Sequence, residues 1–149
     1  MMNEKEVQVF IEGARRYFET ITEKLADIGT PYLTSAEGIP VSDYTGIIGV
    51  SGARKGCVMI FAPRIMLHHL LMSMGERQID EDLVRDSIGE LANTIAGNAR
   101  SEFGAGFMIS VPVVVKGQPD EINIPSHLRA FNIPVQWQSY AVSLTVCLE

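Results

Sequence analysis

Between residues 4 and 26, apolar side chains return every three or four positions. Val7, Phe10, Ile11, Ala14, Phe18 and Ile21 line one face, while Arg15, Arg16, Glu19 and Glu23 occupy much of the rest, which predicts an amphipathic helix. Gly29-Thr30-Pro31 is its stop signal. Residues 32–36 are a short candidate strand. Residues 44–51 and 56–62 are longer ones, joined through Gly52-Ala53-Arg54-Lys55 into a predicted β-hairpin with a basic tip. Pro63 is placed to open a helix at its first turn. Met66, Leu67, Leu70, Leu71 and Met74 supply its apolar residues, and Gly75 closes it.

The acidic run Asp80-Glu81-Asp82 suits the positive end of a helix dipole and announces a long helix over residues 81–102. Beyond Gly104 and Gly106 the pattern is again strand-like over residues 107–115, followed by a loop from Lys116 to Asp120. Residues 122–132 fit either period. Residues 135–148 alternate in two phases: Val135 and Trp137, then Tyr140, Val142, Leu144, Val146 and Leu148. The slip near Gln138-Ser139 is either a bulge in one strand or a break between two. The order α-β-β-β-α-α-β-β, with tight turns between strands, predicts an α+β fold: a largely antiparallel sheet packed against long helices. No linker rich in Gly, Ser or Pro divides the chain, so residues 1–149 read as a single domain.

Composition narrows the function classes. At 46% hydrophobic and 20% charged residues, the chain is ordinary globular material. A net charge of −6 argues against a general nucleic-acid binder, which needs a basic face to neutralise phosphates. No run approaches a membrane span and no apolar signal core follows the polar N-terminus, so the expected compartment is the cytoplasm. Cys57 and Cys147 stand alone in apolar runs and read as buried thiols rather than metal ligands or a redox motif. The neighbours His68 and His69 point different ways on a helix, and neither they nor His127 has partners at metal-ligand spacing. Gly46, Gly49, Gly52 and Gly56 are interleaved with strand residues and lack a following Gly-Lys-Ser/Thr, which excludes a phosphate-binding loop. Ser51, Ser87 and Ser143 lack the setting of a nucleophilic serine.

The long helix carries the candidate chemistry. With residues placed about 100° apart, Val84, Ile88, Leu91, Ile95 and Ala99 form one stripe, flanked by Leu83 and Ala92. Asp86, Glu90, Asn93 and Gly97 fall together on the opposite side, each a surface neighbour of the next. Such a polar face is also what any solvated amphipathic helix presents. Gly89 and Gly97, each costing about 1 kcal/mol relative to alanine in a helix, ask for close approach of another surface.

The string Asp86-Ser87-Ile88-Gly89-Glu90-Leu91-Ala92-Asn93-Thr94-Ile95-Ala96-Gly97-Asn98-Ala99 closely resembles the signature helix of the CheC/CheX/FliY phosphatases of bacterial chemotaxis. That signature is Asp or Ser, three residues, Glu, two residues, Asn; the continuation from Ile95 is especially like CheX. The resemblance implies a CheC-like fold and a phosphatase acting on the aspartyl phosphate of a CheY-like response regulator. It assigns Asn93 to orienting the attacking water, Glu90 to pairing with the regulator's lysine, and Asp86 and Gly97 to contact with the partner. No metal or cofactor of the chain's own is implied; Mg²⁺ is expected in the partner. CheC-type chains carry two such helices, but here the first helix has Arg15 where the asparagine would stand after Glu12, which implies one active site. Pro112, 19 positions past Asn93, is the candidate for the family's strand proline, at a somewhat short spacing. CheX proteins pair as dimers through their sheets, so a homodimer is expected, with the alternating C-terminal segment offering an edge. Two other readings stay open: a non-catalytic adaptor that docks a regulator or flagellar switch component, and a dimeric binding module for some other protein.

Overall fold

Asn3 starts the first helix, α1 (Glu4–Thr22): its side chain accepts from the Glu6 backbone N–H while Glu6 reaches back to the Asn3 N–H, each at 3.0 Å. The computed structural model describes residues 2–117 and 129–149. Within them α1 is followed by β1 (Ala26–Ile28), β2 (Tyr32–Thr34), β3 (Tyr44–Gly52), β4 (Gly56–Ala62), α2 (Arg64–Ser73), α3 (Glu81–Phe103), β5 (Phe107–Ile109), β6 (Val113–Lys116), β7 (Ala130–Trp137) and β8 (Tyr140–Leu148). The fold is α+β, as the alternation of periods predicts.

All the strand pairs are antiparallel, and they join into one sheet ordered β1-β7-β8-β4-β3-β5, with β2 also on β7 and β6 also on β3. The predicted hairpin is β3–β4, with Tyr44 opposite Ala62 and Val50 opposite Gly56. One main core unites the helices with the sheet through Phe10, Phe18, Ile48, Ile60, Leu67, Ile88, Leu91, Ile95 and Leu144. A second, smaller cluster of Ile39, Met59 and Phe61 packs apart from it. Polar residues pair within the sheet as well: Asn132 Oδ1 accepts from the hydroxyls of Ser143 and, at 3.0 Å, Thr145.

Three expectations change, and one open alternative is decided. The first helix ends at Thr22, not Ala26. Glu23 turns left-handed at φ 60°, and the Thr22 hydroxyl folds back onto the Phe18 carbonyl at 2.5 Å while accepting from the Trp137 indole at 3.2 Å. Residues 26–28 are thereby freed to pair with β7. The single strand over 107–115 is two. Val50 faces Ile109 but Ile47 faces Val113, so three steps on β3 meet four on the other chain segment, and the extra residue bulges at 110–112. The phase slip near Gln138-Ser139 is a break: Trp137 pairs with Tyr140 across a two-residue turn, with Gln138 at φ 58°. Finally, the C-terminal segment offers no edge. β8 is paired on both sides, by β4 and β7, so a dimer cannot form through it without undoing those ladders. The expectations for residues 118–120 and 122–128, including His127, lie outside the described residues.

Candidate active site

α3 is set by three local features. The Asp80 carboxylate caps it by accepting from the Leu83 N–H at 2.9 Å. Val84, Ile88, Leu91 and Ile95 are wholly buried against the core, which fixes the rotation of its 23 residues. Gly46 on β3 lets the helix backbone lie directly on the sheet: a Cβ there would stand 2.9 Å from the Ile88 carbonyl oxygen.

That rotation turns the predicted polar stripe outward. Asp86 and Glu90 are exposed, and Asn93 and Gly97 are half-buried. Glu90 and Asn93 are therefore adjacent, one turn apart, with neither side chain covered by the sheet. Among the described residues, neither side chain makes a hydrogen bond or ion pair, nor does Asp86. A carboxylate and an amide standing free on a convex ridge suit contact with a second macromolecule better than capture of a small molecule, which is held in a concavity. A cleft of about 260 Å³ between α1 and α3 is lined by Arg16, Gly13 and Asn98 among others. A groove of about 510 Å³ lies elsewhere, between Val41, Phe61, Pro134 and Tyr140.

The two helical glycines have different reasons. A Cβ on Gly89 would meet Val114 at 3.3 Å and Pro112 at 3.5 Å, so the close surface is the chain's own β6 and the connection leading into it. Arg85 ties the same segment down by donating to the Val114 carbonyl at 3.3 Å. Pro112 thus packs under the site helix. Gly97 meets nothing within 4 Å and leaves an open ledge beside Asn93. On α1, Glu12 is paired to Arg15 at the positions where a second Glu/Asn set would stand. Among the described residues, no group of three or more His, Cys, Asp and Glu could hold a metal ion. His69 is engaged with the Tyr140 hydroxyl at 2.8 Å. No described helix is long and apolar enough to cross a membrane.

The hydrophobic pattern missed one neighbour of the site. Tyr17 on α1 is 5% exposed, its ring edge-on to Phe18 at 5.3 Å. Burial, and secondarily the negative charge of Glu90, push its phenol from 10.0 up to about 12. Cys57 behaves similarly: it lies opposite Cys147 across β4 and β8, and burial, then Cys147, push its thiol from 9.0 up to about 11. Both groups hold their protons longer in the folded chain than in the unfolded one. Their contribution is complete below the unfolded values and is lost as pH rises from 9.0 through about 12. Unfolding in urea should therefore show stability falling by about 1.4 kcal/mol per pH unit for each group in its window. Tyr17→Phe should flatten the upper part; a midpoint constant between pH 9 and 11 would contradict this.

Comparison with known proteins agrees with the fold. A crystal structure of a CheC-like superfamily protein from Shewanella sp. PV-4 superposes with a TM-score of 0.84, at 26% identity over 99% of each chain. Chemotaxis protein CheX from Vibrio vulnificus gives 0.82 at 25% identity, over 97% of this chain and 99% of that one. At 18% identity, over 97% of each chain, a chain of a CheX–CheY–BeF₃–Mg²⁺ complex from Borrelia burgdorferi shares the fold with a TM-score of 0.77. No curated protein matches the chain. The family model described as chemotaxis phosphatase CheX matches residues 44–136, a span that runs from β3 to β7 and contains the whole of α3 with its Glu90–Asn93 pair. The chain belongs to the CheX family.

Proposed function

We propose that this protein hydrolyses the aspartyl phosphate of a CheY-like response regulator, with α3 as the docking and catalytic element. The observation that carries the reading is the free carboxylate and free amide of Glu90 and Asn93, side by side on the exposed ridge of a CheX-family chain. The Borrelia relative was crystallised with CheY, BeF₃ and Mg²⁺, which supports a regulator of that kind as the partner.

The reaction asks little covalent chemistry of the enzyme. A water oxygen attacks phosphorus in line, the bond from phosphorus to the aspartyl oxygen breaks, and a carboxylate and inorganic phosphate leave. Phosphoryl transfer passes through a loose transition state, so positioning and charge stabilisation dominate. Asn93 inserts beside the phosphoryl group and accepts a hydrogen bond from the attacking water through its amide oxygen. Being neutral, it is not repelled as a carboxylate would be. Glu90 pairs with the lysine beside the regulator's phosphoryl group and sets the register of the two proteins. Asp86 and the low ledge at Gly97 border the contact. Mg²⁺ belongs to the regulator and neutralises the phosphoryl oxygens there.

The test is release of inorganic phosphate from a panel of phosphorylated receiver domains. Release well above a receiver's own rate is expected for at least one member. Glu90→Gln should weaken docking about 10-fold or more, ~1.4 kcal/mol or above, because the partner's lysine is left unpaired at a closing interface. Tight docking of a receiver with no added release would instead identify an adaptor.

A further inference from the structure

Tyr17 is placed at the site without a task in the chemistry above. α1 and α3 run antiparallel. Gly13 lies against the Ile95 carbonyl, where a Cβ would be 3.7 Å from the oxygen and 3.9 Å from Asn98 Cβ, and the Phe10 and Phe103 rings are 6.0 Å apart. One turn onward from Gly13 along α1 is one turn back along α3 from Ile95, which sets Tyr17 abreast of Leu91, the residue next to Glu90.

We propose that Tyr17 is a positioning residue for Glu90: its hydroxyl, held at the α1–α3 seam without a partner in the free chain, donates a hydrogen bond to the Glu90 carboxylate once a cation on the docked protein engages that carboxylate. The inference rests on the reading of Glu90 as the docking carboxylate. Three observations carry it. The residue is 5% exposed, and its ring stands edge-on to Phe18 at 5.3 Å. Among the described residues that hydroxyl makes no hydrogen bond, yet no fully buried side-chain oxygen or nitrogen is left unpaired. The hydroxyl is therefore not fully buried, and its donor is free to reach a carboxylate beside it. Lastly, the Glu90 charge is close enough to act on the phenol, which holds its proton to about pH 12 and so remains a donor under any working condition.

A phenylalanine would fill the same space without desolvating a hydroxyl. What the hydroxyl adds is a rigid donor for one carboxylate oxygen, leaving the other to face the partner. Closing a docked surface over this pair excludes water, and a hydrogen bond to a charged group strengthens there.

The experiment compares Tyr17→Phe, Glu90→Gln and the double variant on the receiver domain with the fastest assisted release in the panel. KM and kcat are measured, and thermal melting checks the fold. Tyr17→Phe should raise KM roughly 3- to 10-fold with kcat within about twofold, and should melt like the parent. In the Glu90→Gln background the same change should add nothing, because the carboxylate it positions is gone. An unchanged KM for Tyr17→Phe overturns the inference. So does a Tyr17→Phe effect that multiplies in full onto Glu90→Gln, since the tyrosine would then act independently. Those outcomes leave Glu90's docking role standing. Unaltered KM and kcat for Glu90→Gln itself overturn that role and the inference together.

Discussion

Replacing Asn93 by alanine is expected to cut assisted phosphate release at least about 100-fold, toward the regulator's own rate, while leaving the melting transition within the error of the parent. The size follows from what the amide does. An in-line water held by a fixed acceptor has already given up its translational and rotational freedom, and small misplacements of such a group are enough to lose two orders of magnitude. The absence of a stability effect follows from where the amide sits. Asn93 is half-buried on the outward face of α3, its side chain makes no hydrogen bond among the described residues, and the residues that hold the helix are on the opposite stripe. Truncations at such positions shift stability by no more than about 0.5 kcal/mol. Docking should survive as well, because Glu90 remains. The measurement is single-turnover release from the phosphorylated receiver beside binding of the same receiver. Full release by Asn93→Ala would remove the amide from the mechanism, and a loss of release matched by a loss of binding would reassign it to docking.

How much of this was legible depends on whether the determinant was local. α3 could be read directly, because Val84, Ile88, Leu91 and Ile95 leave one orientation that buries them all, and that orientation puts Glu90 and Asn93 outside. The β3–β4 hairpin was equally plain from two apolar runs and a glycine-flanked turn. The end of α1 was not. Leu25 and Ala26 continue the apolar sequence, and what stops the helix is a tertiary contact, Trp137 on Thr22, from 115 residues away. The bulge at 110–112 was hidden for the same reason: β5 and β6 share one partner strand, and only the ladder with β3 shows the extra residue. At the site, periodicity gave the adjacency of carboxylate and amide but not their roles, which came from resemblance to the CheC/CheX/FliY signature. The close approach it asked for is met at Gly89, by the chain's own residues, and not at Gly97, where nothing lies within 4 Å; it passed over Tyr17, because Phe18 next to it satisfies the apolar period.

That dependence on packing makes Gly46 the position where fold and site are most tightly joined. Gly46→Val should cost about 3 kcal/mol or more, lowering the melting midpoint by roughly 10 °C for a chain of this size. A Cβ at this strand position would lie 2.9 Å from the Ile88 carbonyl oxygen, 3.3 Å from Ala92 Cβ and 3.4 Å from Ile60 Cγ2. The nearest atom is helix backbone, so no rotamer change relieves the clash. The helix itself is held on three sides: by the buried stripe of Ile88, Leu91 and Ile95, by Gly13 of α1 against the Ile95 carbonyl, and by Arg85 on the Val114 carbonyl. Any displacement of α3 then carries Glu90 and Asn93 with it, so assisted release should fall further than the folded fraction does. Gly97→Ala is the matching control on the same helix. With nothing within 4 Å of its Cβ position, it should hold or raise stability by up to about 1 kcal/mol. If Gly46→Val melted with the parent, α3 would not be seated on β3 as described. The fixed presentation of its two polar side chains, on which the proposed catalysis depends, would then have no structural basis.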